Sequence, residues 1–192
     1  MRILGIPGSL RRASYNRALL DAARQLAPHG MTIDIFELDD IPLYNGDLDV
    51  DGVRPFEVER FKEEIARADG LLFATPEYNY NVSGVLQNAI DWASRPAMKS
   101  PLAAKPSAVM GVSTGATGTA RAQQQLKLVL MGTLSLLMPH SGLLVGHAAQ
   151  KFDAAGELTD ESTRTHLTNF LRDFQQWVTR QSATDLNERR YV

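Results

Sequence analysis

The chain has 192 residues, 44% of them apolar and 22% charged, a balance that fits a single soluble globular domain large enough to bury a full core. It contains no cysteine, which excludes disulfides, thiol catalysis and thiolate metal sites. The 20 Lys and Arg against 22 Asp and Glu leave a net charge of −2, which argues against nucleic acid as a partner, since phosphate-backbone binding calls for a basic face.

No apolar run approaches the length of a membrane span, and the first residues run straight into strand-like sequence without a signal or transit segment, so the expected location is the cytoplasm. RILGIP (2–7) reads as a first strand. From Ser14, the residues Tyr15, Ala18, Leu19, Ala22 and Leu26 recur at helical spacing, with Ser14 placed to cap the helix and the Pro28–Gly30 neighbourhood to end it. MTIDIFEL (31–38) alternates at its start, as a strand with one solvated face or edge does. Residues 42–55 are rich in turn formers. PFEVERFKEEIARA (55–68) opens on a proline tolerated in a first helical turn and repeats at Phe56, Phe61, Ile65 and Ala68.

GLLFAT (70–75) is continuously apolar, a strand covered on both faces. SGVLQNAIDWAS (83–94) is an amphipathic helix with Trp92 on its core side. KPSAVMGVS (105–113) is another buried strand, and a helix follows over about 119–133. SGLLVG (141–146) is the fifth strand, and a last helix covers about 160–180. The polar stretch 181–192 is expected to be a mobile tail. Strands alternating with helices predict an α/β fold, a three-layer α/β/α sandwich around a five-stranded parallel sheet. The alternating second strand belongs at an edge, which gives the flavodoxin-like order 2-1-3-4-5. No repeat or second domain interrupts residues 1–192.

An open parallel sheet binds ligands beyond the C-terminal strand ends where strand order reverses, here between strands one and three. GSLRRASYN (8–16) leaves strand one at that point and feeds a helix N-terminus, where free N–H groups and the helix dipole favour an anion. Ser9 and Ser14 offer hydroxyls, Asn16 an amide and Arg11 a charge-assisted fork, a set that suits a monophosphate. The plainer reading is a solvated loop whose Ser14 only caps a helix. The segment is neither G-x-G-x-x-G nor a Walker loop, so a dinucleotide pyrophosphate or a nucleoside triphosphate is not its natural cargo. PEYNYN (76–81) follows strand three and lies beside that loop. Its backbone groups can read the polar edge of a flat ring while a tyrosine covers part of its face, although Asn and Tyr are also common in turns.

Together these segments closely resemble the NADPH-dependent FMN reductase family, and most of all its quinone- and chromate-reducing branch. The resemblance is carried by G-S-x-R-x-x-S-x-N after strand one, P-E-Y-N after strand three and the run to N-A-I-D-W-A-S-R-P. It continues through Lys105–Pro106, the Ser/Gly loop at 113–118 and R-A-x-x-Q-L at 121–126, and so spans most of the chain. It implies an FMN whose phosphate lies on Ser9, Arg11, Ser14 and Asn16. Pro76, Glu77, Tyr78 and Asn79 would line the isoalloxazine and ribityl side, and Ser113, Thr114 and Gly115 would form a third wall.

The implied activity is ping-pong hydride transfer from NADPH or NADH to FMN, and on to a quinone-like acceptor, free flavin or another small oxidant. The flavin carries the chemistry, so no side chain has to serve as acid or base, and Tyr78 is placed to shape the substrate face. The resemblance also implies a homodimer or homotetramer. Independently, the stretch QQLKLVLMGTLSLLM (124–138) is apolar on more than one face, with Leu126, Val129 and Leu130 able to face the sheet and Leu128 and Met131 turned away. Two positions depart from the family pattern. A proline is expected ahead of Gly84, where Ser83 stands, and a lysine where Gln87 stands; the first change is expected to loosen the turn, the second to remove a positive charge near the site.

Two rival readings remain open on the residues alone. GVSTG (111–115) matches the G-x-S-x-G nucleophile elbow, with Ser113 as nucleophile and Asp153 or Asp160 then His166 in the right chain order. An elbow launches its helix from the serine, however, and here TGATGTA intervenes. The second rival is a flavodoxin-like electron carrier without turnover, from which Arg11 and the near-neutral charge point away. His29, His140, His147 and His166 lack metal-ligand spacing, and Arg121 suits either an anion or a neighbouring subunit.

Overall fold

The computed structural model describes residues 1–50 and 52–183; of the expected tail, 181–183 close the last helix and 184–192 lie outside the described residues. The elements are β1 (Arg2–Pro7), α1 (Tyr15–Gln25), β2 (Thr32–Ile35), α2 (Phe56–Arg67), β3 (Gly70–Ala74), α3 (Gly84–Ala93), β4 (Pro106–Val112), α4 (Ala120–Gly132), β5 (Leu136–Leu137), β6 (Leu143–Val145) and α5 (Glu161–Ala183). Every strand pairing is parallel, in the order β2-β1-β3-β4-β5, with β6 also paired to β4.

The fifth sheet position is therefore filled by two short pieces. Leu136 and Leu137 pair with Pro106 and Ser107 at the start of β4, and Leu143–Val145 pair with Met110–Val112 at its end. Between them Pro139 and Gly142, the latter at φ +98, take the chain out of the ladder. Lys127 of α4 holds the carbonyls of His140 and Ser141 there at 3.0 and 2.7 Å. Sequence patterning finds only the second piece, because Leu136–Met138 continue the apolar run of α4.

Alternation along the strands divides the core into two layers. Ile3, Leu72 and Met110 face α1 and α5, where Leu19, Leu20, Leu167, Phe170 and Phe174 are buried against them. Leu4, Ile6, Leu71 and Phe73 face the other way, onto Phe61 and Ile65 of α2, Leu86 and Ile90 of α3 and Leu126 and Leu130 of α4. The repeat expected of α2 fails at its first member. Phe56 opens the helix and is 76% exposed, and the buried stripe is instead Val58, Phe61 and Ile65. Trp92 is a core residue as expected, and its indole N–H donates to the Pro42 carbonyl at 2.8 Å, anchoring the long 42–55 connection.

Helix α1 is fixed at both ends of its first turn. Ser14 caps it, accepting from Arg17 N at 3.4 Å. Asn16, 4% exposed, exchanges two 3.0 Å hydrogen bonds with the backbone of Val112, its amide donating to the carbonyl and its oxygen accepting from the N–H. The Asn16 amide expected to donate to a phosphate is thus bound to the end of β4, across 96 residues of chain. Sequence cannot reveal this, because the partner is a main-chain group.

No helix among the described residues is long and apolar enough to cross a membrane. Replacing Asn16 by Ala leaves the Val112 N–H and C=O unpaired in the core, which is expected to destabilise the fold by roughly 1–3 kcal/mol for each group that finds no new partner. Urea denaturation checks this through a lower midpoint at unchanged slope.

Candidate flavin site

Three loops leave the same end of the sheet and are held side by side by main-chain bonds just past the strands. Gly8 N donates to Ala74 O at 2.9 Å, Thr75 N to Met110 O at 3.0 Å and Ser113 N to Val145 O at 3.0 Å. Packing at the roots of the loops is tight at Gly8 and leaves no space for a side chain at Gly111 at the end of β4. A Cβ on Gly8 would lie 3.0 Å from Pro76 Cδ and 3.1 Å from Leu86 Cδ2. A Cβ on Gly111 would lie 2.1 Å from Thr119 Oγ1 and 2.4 Å from Thr75 O.

The first loop presents Ser9, exposed Arg11 and Arg12, and buried Ser14 at the N-terminus of α1. Arg11 folds back, donating to Ala13 O at 2.6 Å with its guanidinium 5.5 Å from the Tyr15 ring centroid. The Ser14 hydroxyl accepts in its cap and keeps its proton for a further acceptor. The N–H groups of Ser9, Leu10, Arg12, Ala13, Tyr15 and Asn16 meet no acceptor among the described residues. A loop of unanswered donors with two hydroxyls and a guanidinium, at a helix N-terminus, fits a phosphate monoester.

The second loop is a tight hairpin. Tyr78 and Asn81 exchange N–H···O bonds of 3.2 and 3.0 Å, with Asn79 at φ +50 and Tyr80 at φ +66 between them. Two successive positive φ values are the signature of a type I′ turn, natural for Asn and strained for Tyr. Tyr80 is held there by Arg121, whose guanidinium lies 4.0 Å from its ring centroid. Tyr78 is 52% exposed, and its hydroxyl reaches to 3.3 Å from Ser9 Oγ, joining the second loop to the first.

Glu77 has a different task from the one expected of it. Its side chain is 8% exposed and its carboxylate accepts from Arg121 Nε at 2.7 Å, Arg121 N at 3.0 Å and Ala122 N at 3.2 Å, capping α4. Burial pushes its pKa up, but the Arg121 guanidinium and the two N–H groups outweigh that and hold it below the usual carboxylate value. Arg121 therefore pairs within its own chain. The sequence holds both residues but gives no sign that they meet.

The Ser83 departure does not loosen the turn. Ser83 is 2% exposed, caps α3 by accepting from Leu86 N at 3.3 Å, and donates to Gly8 O at 2.6 Å. Gln87 donates to Asp91 Oδ1 at 2.9 Å, one turn along the same helix. The third loop is closed by Ser113, whose hydroxyl donates to Gly118 O at 2.7 Å, while the N–H groups of Thr114 and Gly115 meet no acceptor among the described residues. The nucleophile reading of Ser113 fails on this geometry. No helix starts at the serine, Asp153 accepts from Ala155 N and Glu157 N, Asp160 caps α5 at Thr163, and His166 is exposed on α5.

Residues 1–150 match the family model described as NADPH-dependent FMN reductase. The chain belongs to the NADPH-dependent FMN reductase family. It is 48% identical over 182 residues to an NAD(P)H-dependent FMN reductase of Pseudomonas aeruginosa, covering 94% of this chain and 96% of that one. It is 42% identical over 178 residues to a 2-hydroxy-1,4-benzoquinone reductase of a Burkholderia species, covering 93% and 96%. Among solved structures it resembles FerB, a flavoenzyme NAD(P)H:acceptor oxidoreductase of Paracoccus denitrificans, with TM-score 0.85 and 35% identity over 94% of this chain and 98% of that one. As a member of this reductase family the chain is an NAD(P)H-dependent oxidoreductase with FMN as its cofactor, and the electron-carrier reading falls with that assignment.

The depressed pKa of Glu77 has a testable sign. Its ion pair with Arg121 adds stability that is full above the unfolded value, near 4.5, and fades as pH falls through the lower folded value. The stability difference between the wild type and Glu77→Gln should be constant above ~pH 6 and shrink below the unfolded value. Urea midpoints measured across that range check this.

Proposed function

We propose that the chain reduces quinone-type small molecules with NAD(P)H at an FMN seated between the three loops. The observation that carries this reading is the set of unanswered N–H donors around Ser9, Arg11 and Ser14 at the strand-order reversal, in a chain whose relatives include quinone reductases. In the proposed arrangement Ser9, Ser14 and Arg11 hold the phosphate, and Asn16 contributes its main-chain N–H in place of its committed amide. Pro76, Tyr78 and Asn79 line the ring and ribityl side, with Glu77 contributing its backbone N–H and fixing the loop through α4. Ser113 shapes the third wall, from which the N–H groups of Thr114 and Gly115 donate to the polar edge of the ring.

A bound FMN would supply the hydride relay between NAD(P)H and the acceptor. The protein orients the reactants, keeps one ring face open, and uses the half-exposed Tyr78 ring to shape that face. An open face of this kind admits quinones, free flavin and other small oxidants in turn. Leu128 and Met131 on α4 are 61% and 60% exposed, and we assign them to a homodimeric or homotetrameric contact. The proposed location is the cytoplasm, where reduced nicotinamide nucleotides are supplied.

The test is an absorption spectrum after incubation with FMN and desalting, followed by anaerobic NADPH, then NADH, then a benzoquinone. Retained flavin that bleaches with a nicotinamide nucleotide and recovers with the quinone is the expected result. Bleached flavin that the quinone cannot reoxidise would overturn the acceptor class, and a protein that retains no flavin would overturn the site.

A further inference from the structure

The bond from Ser83 to Gly8 joins the two flavin loops at their roots, and it has a consequence for the first loop that follows from peptide geometry. In a planar trans peptide the C=O of one residue and the N–H of the next point to opposite sides of the chain. Ser83 Oγ donates to Gly8 O at 2.6 Å from a buried position, so it draws that carbonyl inward, toward the N-terminus of α3. The N–H of Ser9, on the far side of the same peptide plane, is thereby turned the other way, and it meets no acceptor among the described residues. Gly8 N is already fixed to Ala74 O at 2.9 Å, and a Cβ placed on Gly8 would lie within 3.2 Å of Pro76, Leu86 and Ser83. The two peptide planes that meet at Gly8 therefore carry one bonded anchor each, the Gly8 N–H on Ala74 and the Gly8 carbonyl on Ser83.

We infer that Ser83 is a positioning residue for the phosphate group. It locks the Gly8–Ser9 peptide so that the Ser9 N–H is presented to the anion before the anion arrives. This rests on the proposed seating of FMN phosphate in the first loop and adds a residue that does not touch the cofactor. A peptide held in its binding orientation loses less freedom on binding, so the anion is held more tightly. The lock needs the hydroxyl. Ser83 has φ −64 and ψ 143, a conformation a proline adopts without strain, so proline at this position keeps the turn and removes the lock.

The experiment compares FMN with riboflavin, which has the same ring and ribityl chain without the phosphate. Dissociation constants are measured by quenching of flavin fluorescence for the wild type, Ser83→Ala, Ser83→Pro and Ser83→Thr, with melting of the apoproteins recorded alongside. Ser83→Ala and Ser83→Pro are expected to weaken FMN by roughly three- to tenfold and to leave riboflavin unchanged, while Ser83→Thr keeps the wild-type ratio. Should Ser83→Ala fail to fold, Ser83→Pro carries the comparison. A residue that only stabilised the fold would lower the melting temperature and shift both ligands alike. Equal losses for both ligands, or no loss for either, would overturn the inference. A wild type that binds FMN no more tightly than riboflavin would overturn the phosphate seat itself, and is distinguishable because it needs no variant.

Discussion

The root of the first loop crosses the root of the second at van der Waals contact, and the site is built outward from that crossing. Gly8 passes beside Pro76 and Leu86, where a Cβ would be tightly crowded, with one bond to Ala74 on its N–H and one from Ser83 on its carbonyl. Parallel strands put both loops at the same sheet end, and the reversal of order between β1 and β3 opens a crevice there. A phosphate needs donors that have no other work. The strands supply the crevice, the start of α1 supplies N–H groups that meet no acceptor among the described residues, and the crossing lies at their root.

The second loop is shaped from outside. Its turn contains a tyrosine at positive φ, which is unfavourable without compensation. The compensation comes from α4, where Arg121 lies against the Tyr80 ring and is itself held by Glu77 from the base of the same loop. Glu77 also closes the N-terminus of α4 by accepting from the N–H groups of Arg121 and Ala122. Cap, ion pair and ring contact thus form one unit that ties the second loop to α4. Such bracing suits an enzyme whose cofactor carries the reaction and whose residues hold geometry.

Much of the fold is legible in the sequence, and the exceptions have two causes. Strand runs such as Gly70–Ala74 and helix stripes such as Leu86, Ile90 and Ala93 follow from periodicity, because burial on one or both faces writes itself into local pattern. Ser14 as a cap follows from local residue type and position, and so does the proposal of an anion site at loop 8–16. The side chains of Asn16, Glu77 and Ser83 make bonds that residue type and position do not announce. Each of them bonds a main-chain group far along the chain, at Val112, Ala122 and Gly8, and a main-chain partner leaves no trace in residue identity. Phe56 and the broken fifth strand fail for a local reason instead, since an element's end residue or a two-residue strand carries too little pattern to be told from its neighbours.

In the proposed arrangement, the N–H groups of the first loop that meet no acceptor among the described residues receive the FMN phosphate. Amide hydrogen exchange of the apoprotein and of the FMN-loaded protein, resolved by residue, measures this directly. The account predicts that the amides of Ser9, Leu10, Arg12 and Ala13 exchange freely without FMN and become protected when it binds, while those of the 42–55 connection do not change. Protection that appears elsewhere and leaves these four amides exchanging as before would contradict it.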